Sequence, residues 1–440
     1  MRPLYAILFV TLKYALRIFY PRIKTVNSPK GFFGNTIYVS NHCASFMDPL
    51  VVASYNQPIL FFMTRSDVFT PISRPVLWAA HSLPIYRQHD GVNTKNENEK
   101  AFATCIKILK SGRNLLVFGE GFTDDIFIRR LKPVKKGAVR IGFITLEALN
   151  WEKKIYIAAV GCNYSDPNEM RSDVLVSTSD KICLNDYKEQ FQANPNKVIN
   201  ELTKRIESLM QDQITHVEDK NWLNFHENIM KLTRKGMNAK HSDTNISLIE
   251  RWKYSKQLAT WLNNQKEEQL ENLQGLKDEM ERYFSLLRKL KVNENCVHEL
   301  SVNGKLNRAK ELAYLFILFP FAILGFLHCS IPYFIVKRFV EKTFKRRVFW
   351  ASVKLILGMI FMGLINIPVI FLVHYFFFPS YWLGFLYYGL IGVFGLAAYM
   401  WWINFVRFKE KGMIEKMNLS KIVSKRNELL EKIYSLIPVA

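Results

Sequence analysis

Residues 36–49 read TIYVSNHCASFMDP. The run Thr36–Ser40 is β-branched and aromatic, the composition of a short buried strand. Small and polar residues follow it, and Pro49–Tyr55 then reads as helix. Working outward, the same alternation repeats. Ile59–Met63, Leu115–Phe118 and Ile155–Val160 read as strands, and Asn98–Leu109 and Lys136–Ala148 as helices, the first apolar at 102, 105, 106 and 109. Alternation of this kind predicts an α/β domain, a mixed sheet flanked by helices, with several strands buried on both faces. Reactive residues in such sheets gather in loops at strand ends, so the loop 41–48 is the first place to look for chemistry.

Composition bounds the rest. The 440 residues carry 60 Lys+Arg against 38 Asp+Glu, a formal charge of +22, and are 49% hydrophobic. That excludes a disordered chain. The six cysteines form no C-x-x-C pair and no metal-ligand spacing, so neither a disulfide scaffold nor a metal site is expected, and reduced thiols fit best. The excess of cations suits an anionic membrane leaflet and phosphorylated substrates. It would also suit nucleic acid, but no nucleic-acid-binding motif accompanies it and none is expected as partner.

The apolar residues are segregated toward the C-terminal part. Leu312–Val336 has no Asp, Glu, Lys or Arg, Phe349–Phe378 has only Lys354, and Ser380–Val406 again has none. Each is long enough to span a bilayer, which takes about 20 helical residues, and Trp350, Tyr381, Trp382, Trp401 and Trp402 sit near their ends as interfacial aromatics do. The linker after the first run holds Lys337, Arg338, Lys342, Lys345, Arg346 and Arg347, and the tail after the third holds Arg407, Lys409, Lys411 and Lys416. Arg308 and Lys310 precede the first run, whereas Phe378–Tyr381 has no charge. All the basic segments belong in the cytosol by the positive-inside tendency, and three simple crossings cannot put them there together. Leu312–Val336, interrupted by Pro320 and Pro332, is therefore expected to re-enter or lie in the interface, with the other two runs as a spanning hairpin. Three full spans are the alternative.

Met1–Tyr20 mixes apolar blocks with Lys13 and Arg17, and no small-residue cleavage site follows. It reads as an interfacial anchor rather than a cleaved signal peptide, or else as a core helix with a wet edge. From 188 to 310 the composition turns to Glu, Lys, Gln, Asn and Leu. There Glu267–Leu290 places Leu270, Leu273, Leu276, Met280, Phe284 and Leu287 at helical spacing, an amphipathic helix for a packed lid or a coiled coil. The expected organisation is 1–29, interfacial helix and linker; 30–187, α/β domain; 188–310, helical and partly coiled-coil-like; 311–406, membrane segments; 407–440, basic cytosolic tail.

Four blocks carry candidate chemistry. In Asn41–Asp48, His42 and Asp48 can form a base–orienter pair, the carboxylate fixing the imidazole tautomer. The same residues would also arise if Asp48 simply capped the next helix. Phe118-Gly119-Glu120-Gly121 places two glycines around a carboxylate in a tight turn whose N–H groups suit an oxyanion or phosphate. Leu83-Pro84-Ile85-Tyr86-Arg87 brings Arg87 to a turn. Lys132–Arg140 contributes Lys132, Lys135, Lys136 and Arg140 beside Gly137, a phosphate-binding pattern or a solvated basic face.

In order and spacing these blocks resemble the glycerolipid acyltransferases of the glycerol-3-phosphate and lysophosphatidic acid type. That family has a His–Asp block, an Arg-bearing block, a Pro-Glu-Gly block and a last Pro-containing hydrophobic block, matched here by Asn41–Asp48, Leu83–Arg87, Phe118–Gly121 and Ile157–Tyr164. Leu131–Gly142 corresponds to the Lys–Gly helix start. The departures are five residues between His42 and Asp48 where the family has four, Gly119 for proline, and Ala159 for proline. The wider spacing, Leu-Pro-Ile-x-Arg and the stretch 161–172 look most like the fungal-type glycerol-3-phosphate/dihydroxyacetone-phosphate branch.

The resemblance implies a membrane-integral O-acyltransferase of phospholipid synthesis with its catalytic domain facing the cytosol. His42 would be the base and Asp48 its orienter; Arg87, Glu120, Gly121, Lys135 and Lys136 would bind the acceptor, glycerol 3-phosphate or dihydroxyacetone phosphate. The donor would be acyl-CoA or an acyl-carrier protein, a substrate rather than a cofactor, and neither a metal nor an acyl-enzyme on Cys43 or Ser45 is required. A lysophosphatidate or other lysolipid acceptor is the alternative within the chemistry. A membrane scaffold or lipid-binding pseudoenzyme is the alternative outside it, resting on the extra loop residue and the missing prolines.

Overall fold

The computed structural model describes residues 3–29, 34–55, 60–71, 73–86 and 94–439. By contact density the chain divides into two units, Met1–Leu223 with Thr244–Asn263, and Asn224–Asp243 with Asn264–Ala440.

The first unit begins with α1 (Pro3–Phe19), β1 (Arg22–Val26), β2 (Thr36–Ser40), α2 (Met47–Tyr55), β3 (Leu60–Arg65), α3 (Arg74–Ala79), β4 (Ser82–Ile85), α4 (Thr94–Lys110) and β5 (Asn114–Phe118). It continues through α5 (Gly137–Ala148), β6 (Tyr156–Tyr164), β7 (Asp173–Thr178), β8 (Ile182–Cys183), α6 (Lys188–Ala193) and α7 (Pro195–Gln213). The strands lie in the order β1-β7-β6-β2-β5-β3-β4, with β8 also on β6. β2 pairs in parallel with both β5 and β6, while β6 and β7 are antiparallel, so the sheet is mixed. Every residue of β2 is buried, as a central strand covered on both faces requires. Ile37, Val39, Leu115 and Ile157 from the sheet pack with Ile141 and Leu146 of α5 and Leu202, Ile206 and Met210 of α7. The end of α7 lies so close to β6 that a Cβ at Gly161 would stand 2.2 Å from the Gln213 carbonyl.

The strands that the sequence reading names are present, with β6 longer than expected and Ile59, the expected start of β3, outside the described residues. The strands it omits lie toward the sheet's margins or follow tight turns. β1 (RIKTV) carries the charges of Arg22 and Lys24, and β4 (SLPI) contains Pro84, tolerated because β4 is an edge strand. The Leu83–Arg87 block therefore begins in a strand, and Arg87, expected at a turn, lies outside the described residues.

The segment 188–310 is shared between the units. After α8 (Leu223–Thr233), α9 (Leu248–Asn263) returns to the sheet. There the fully buried Arg251 reaches Asp173 at 3.1 Å, and Arg22 holds the same carboxylate through both its oxygens at 2.7 and 2.9 Å.

The second unit contains α10 (Glu267–Leu290), α11 (Glu294–Asn303), α12 (Ala309–Thr343), α13 (Trp350–Phe376), α14 (Tyr381–Ile414) and α15 (Ser420–Leu436). α10 has the predicted bounds and buries Leu273, Leu276, Met280, Tyr283 and Leu287. The three helices α12–α14 are long and apolar enough to cross a membrane by length and composition. α12 continues as helix through Pro320 and Pro332, and α13 through Pro368.

α14 is antiparallel to α12: Lys411 pairs with Glu311 at 3.0 Å, Trp401 Nε1 donates to the Leu315 carbonyl at 3.1 Å, and Tyr387 Oη meets His328 Nε2 at 3.0 Å. α13 turns back on α14, where His374 stacks on Tyr381 and Tyr388 Oη donates to the Gly363 carbonyl at 2.9 Å. Yet α13 also runs antiparallel to α12, from Lys354–Glu341 at 2.6 Å to Asn366–His328 at 3.1 Å. Three straight rods along one axis cannot be pairwise antiparallel. At least one helix bends or crosses steeply, and the internal prolines are where bending costs least.

Candidate active site

β2 ends at Ser40 in the middle of the sheet and delivers the next residues to its rim. Asn41 fixes that loop to β6: its Oδ1 accepts the Cys162 N–H at 2.7 Å and its Nδ2 donates to the Cys162 carbonyl at 3.1 Å. The chain then turns through Ser45, at a left-handed φ of 53°. The Met47 N–H donates to the Ala44 carbonyl at 3.1 Å, and the Asp48 N–H to the Ser45 carbonyl at 3.2 Å. This compact turn absorbs the fifth residue of the wide spacing. It brings His42 Nδ1 to 3.0 Å from Asp48 Oδ2.

Asp48 is fully buried, and Oδ2 also accepts the Ala44 N–H at 2.9 Å. The acceptor-only carboxylate calls for a proton on Nδ1, which leaves Nε2 as the basic nitrogen of the ring. The His42 side chain is 21% exposed. Phe118, the last residue of β5, stacks on the imidazole with ring centroids 4.2 Å apart. Neither Asn41 nor Phe118 is named as a site residue in the sequence reading, although both stand within its blocks.

Glu120 is 2% exposed, and its Oε1 accepts the His42 backbone N–H at 3.2 Å. Its Oε2 lies 3.8 Å from Lys132 Nζ, which pairs more closely with Asp124 at 3.0 Å, donates to the Phe122 carbonyl at 3.1 Å and covers the Phe122 ring. Burial pushes the Glu120 carboxyl up to about 7, against the pull of the His42 N–H and Lys132. Gly121 has a φ of +77°, and its N–H already donates to the Phe118 carbonyl at 3.3 Å within the turn.

Lys135 lines the cavity beside Glu120, whereas Lys136 stands exposed at the start of α5 and is not among the residues lining it. The structure thus brings together His42, Asp48, Glu120, Gly121 and Lys135. Among the described residues no cluster of His, Cys, Asp or Glu could hold a metal ion.

With this geometry in view, the model of the Acyltransferase family matches residues 23–163. That stretch is similar to an acyltransferase domain. It takes in β1 through nearly all of β6, and its boundary leaves α7 and α9 outside. Among solved structures, the 1-acyl-sn-glycerophosphate (LPA) acyltransferase PlsC from Thermotoga maritima is similar at 16% identity, over 47% of this chain and 81% of that one, with a TM-score of 0.31. No curated protein matches the chain.

The local hydrogen bonding also accounts for the chain's departures from the expected blocks. The Gly119 N–H donates to the Ser40 carbonyl at 3.0 Å and the Ala159 N–H to Ser179 Oγ at 2.9 Å. Proline at either position would forfeit a hydrogen bond inside the sheet.

Proposed function

We propose that the chain is a membrane-bound O-acyltransferase that moves a fatty acyl group from acyl-CoA or an acyl-carrier protein to a hydroxyl of glycerol 3-phosphate or dihydroxyacetone phosphate. The observation that carries this reading is the contact between His42 Nδ1 and the buried Asp48. His42 Nε2 takes the proton of the acceptor hydroxyl as its oxygen attacks the thioester carbonyl. The tetrahedral intermediate collapses, the C–S bond breaks, and the departing thiolate recovers the proton from His42. Asp48 stabilises the imidazolium between these steps.

Glu120 acts chiefly on the protein, holding the His42 backbone by its N–H, so it is a positioning residue; this removes the difficulty of a carboxylate facing an anionic acceptor. Lys135 and Arg87 are the acceptor's cations, with Lys136 at the rim. The pseudoenzyme reading loses ground because the extra loop residue does not part His42 from Asp48, which stand 3.0 Å apart.

The proposed placement is two crossings, with the catalytic domain in the cytosol. It is supported by Lys411–Glu311 and Arg308–Glu415, which join the start of α12 to the end of α14. Both ends then lie on one side of the membrane, and an even number of crossings must separate them. The cations of 337–347 favour α12 as the helix that does not cross.

Assay of purified protein with one acyl-CoA against glycerol 3-phosphate, dihydroxyacetone phosphate and lysophosphatidate tests the acceptor. Preference for either small phosphate supports the proposal, and turnover of lysophosphatidate alone would replace it with the lysolipid reading.

A further inference from the structure

The cavity beside Glu120 has a volume of about 280 Å³, and its polar lining comprises Glu120, Asp124, Arg130, Lys132, Lys135 and Lys220. The carboxylates in it are already answered. Glu120 accepts the His42 N–H, and Lys132 lies against both Glu120 and Asp124. Arg130, Lys135 and Lys220 leave the cavity positive, and gathering like charges there disfavours the empty site unless an anion enters it.

Lys220 lies beyond the residues matched by the family model. It is carried to the cavity by the segment after α7, which is bonded along the cavity wall. The Val217 N–H donates to the Arg129 carbonyl at 2.8 Å, the Leu131 N–H to His216 Nδ1 at 2.9 Å, and Arg130 Nε to the Glu218 carbonyl at 2.8 Å. Glu207 of α7 accepts the Val134 N–H at 3.1 Å. Asn263 braces the segment from behind, donating to the His216 carbonyl at 2.8 Å and accepting the Glu218 N–H at 2.9 Å. Using Nε on Glu218 fixes the guanidinium of Arg130 while its terminal nitrogens remain suited to a phosphate.

We propose that Arg130 and Lys220 complete a phosphate-monoester subsite begun by Lys135, so that the segment after α7 determines which charged substrate the acyltransferase domain accepts. The phosphate belongs either to the glycerol acceptor or to the ribose 3′-phosphate of a CoA donor. The proposal rests on the acyl-transfer reading for its substrates, but its anion can be tested by binding alone.

The experiment compares full-length wild type, Arg130→Gln, Lys220→Gln and Lys220→Arg in detergent. Binding of glycerol 3-phosphate against glycerol, and of CoA against 3′-dephospho-CoA, is measured by calorimetry. Wild type should prefer the phosphorylated member of one pair. Each Gln variant should lose about tenfold in affinity for that member only, and Lys220→Arg should recover it. The affected pair identifies acceptor or donor. Lys220 is exposed, so Lys220→Gln remains informative if Arg130→Gln fails to fold. Unchanged phosphate preference in Lys220→Gln would overturn the proposal. Wild type that binds phosphate selectively through Lys220 but transfers no acyl group would uphold the subsite and overturn the function proposed above.

Discussion

Asp48 uses one carboxylate oxygen for two donors, the ring of His42 and the N–H of Ala44, and so fixes the imidazole to the backbone of its own loop. Cys43 stands beside this pair without sharing its role. Burial pushes its thiol well above the ordinary value, and the neighbouring Asp48 pushes in the same direction. A thiolate nucleophile is therefore disfavoured, and Cys43→Ser is expected to retain activity within about threefold of wild type in the same transfer assay. Glu120 gives the opposite sign from a salt-bridged carboxylate. Its folded value of about 7 lies above the unfolded one, so its contribution to stability is present at acid pH and is lost as pH rises through about 7. Melting temperatures across that range should fall less steeply for Glu120→Gln than for wild type; equal slopes would contradict the assignment. The contact between His42 and Asp48 was legible in the sequence because the two stand only six positions apart. Glu120 was named as a candidate from its Gly-flanked turn, but its hydrogen bond from the His42 N–H was not, because that bond spans 78 positions. The clamp of Asn41 on Cys162 spans 121.

At the scale of elements, continuous buried runs revealed β2, β5 and β6, and period-3.6 patterning revealed α4 and α10. β7 escaped notice although wholly buried, since it follows β6 closely through the turn-rich stretch 165–172. The split of 188–310 was equally hidden, because α7, α9 and α10 have similar polar compositions and differ only in what their apolar stripes meet. One element-level contact has a clear energetic consequence. Glu294, at the start of α11, receives Arg426 of α15 at 2.7 Å and lies 3.4 Å from Arg234, with both Glu294 and Arg426 almost fully buried. Removing the carboxylate strands a buried guanidinium. Glu294→Ala should destabilise the second unit by about 3–5 kcal/mol, read by denaturant unfolding or by hydrogen exchange in α11 and α15. A loss below about 1 kcal/mol would show that the pair contributes little.

For the whole molecule, the net charge and the segregation of apolar residues identified a membrane protein before any element was placed, and the three long helices agree. The positive segments posed a parity problem that the Lys411–Glu311 contact restates in three dimensions. Single cysteines introduced by Lys345→Cys, Lys409→Cys and Ser380→Cys, in a background without other reactive thiols, test the result in sealed vesicles. The first two should react with a membrane-impermeant maleimide from the same side and the third from the other. Labelling of positions 345 and 409 from opposite sides would exclude α12 as the helix that does not cross.

The central claim is that His42, oriented by Asp48, is the base of an acyl transfer. Its most direct test is acyl transfer to radiolabelled glycerol 3-phosphate and dihydroxyacetone phosphate by purified protein, beside His42→Ala and Asp48→Asn with folding verified. Wild type should give acylated product, His42→Ala none above background, and Asp48→Asn a kcat reduced by about 100-fold or more with little change in KM. Equal transfer by wild type and His42→Ala would contradict the claim.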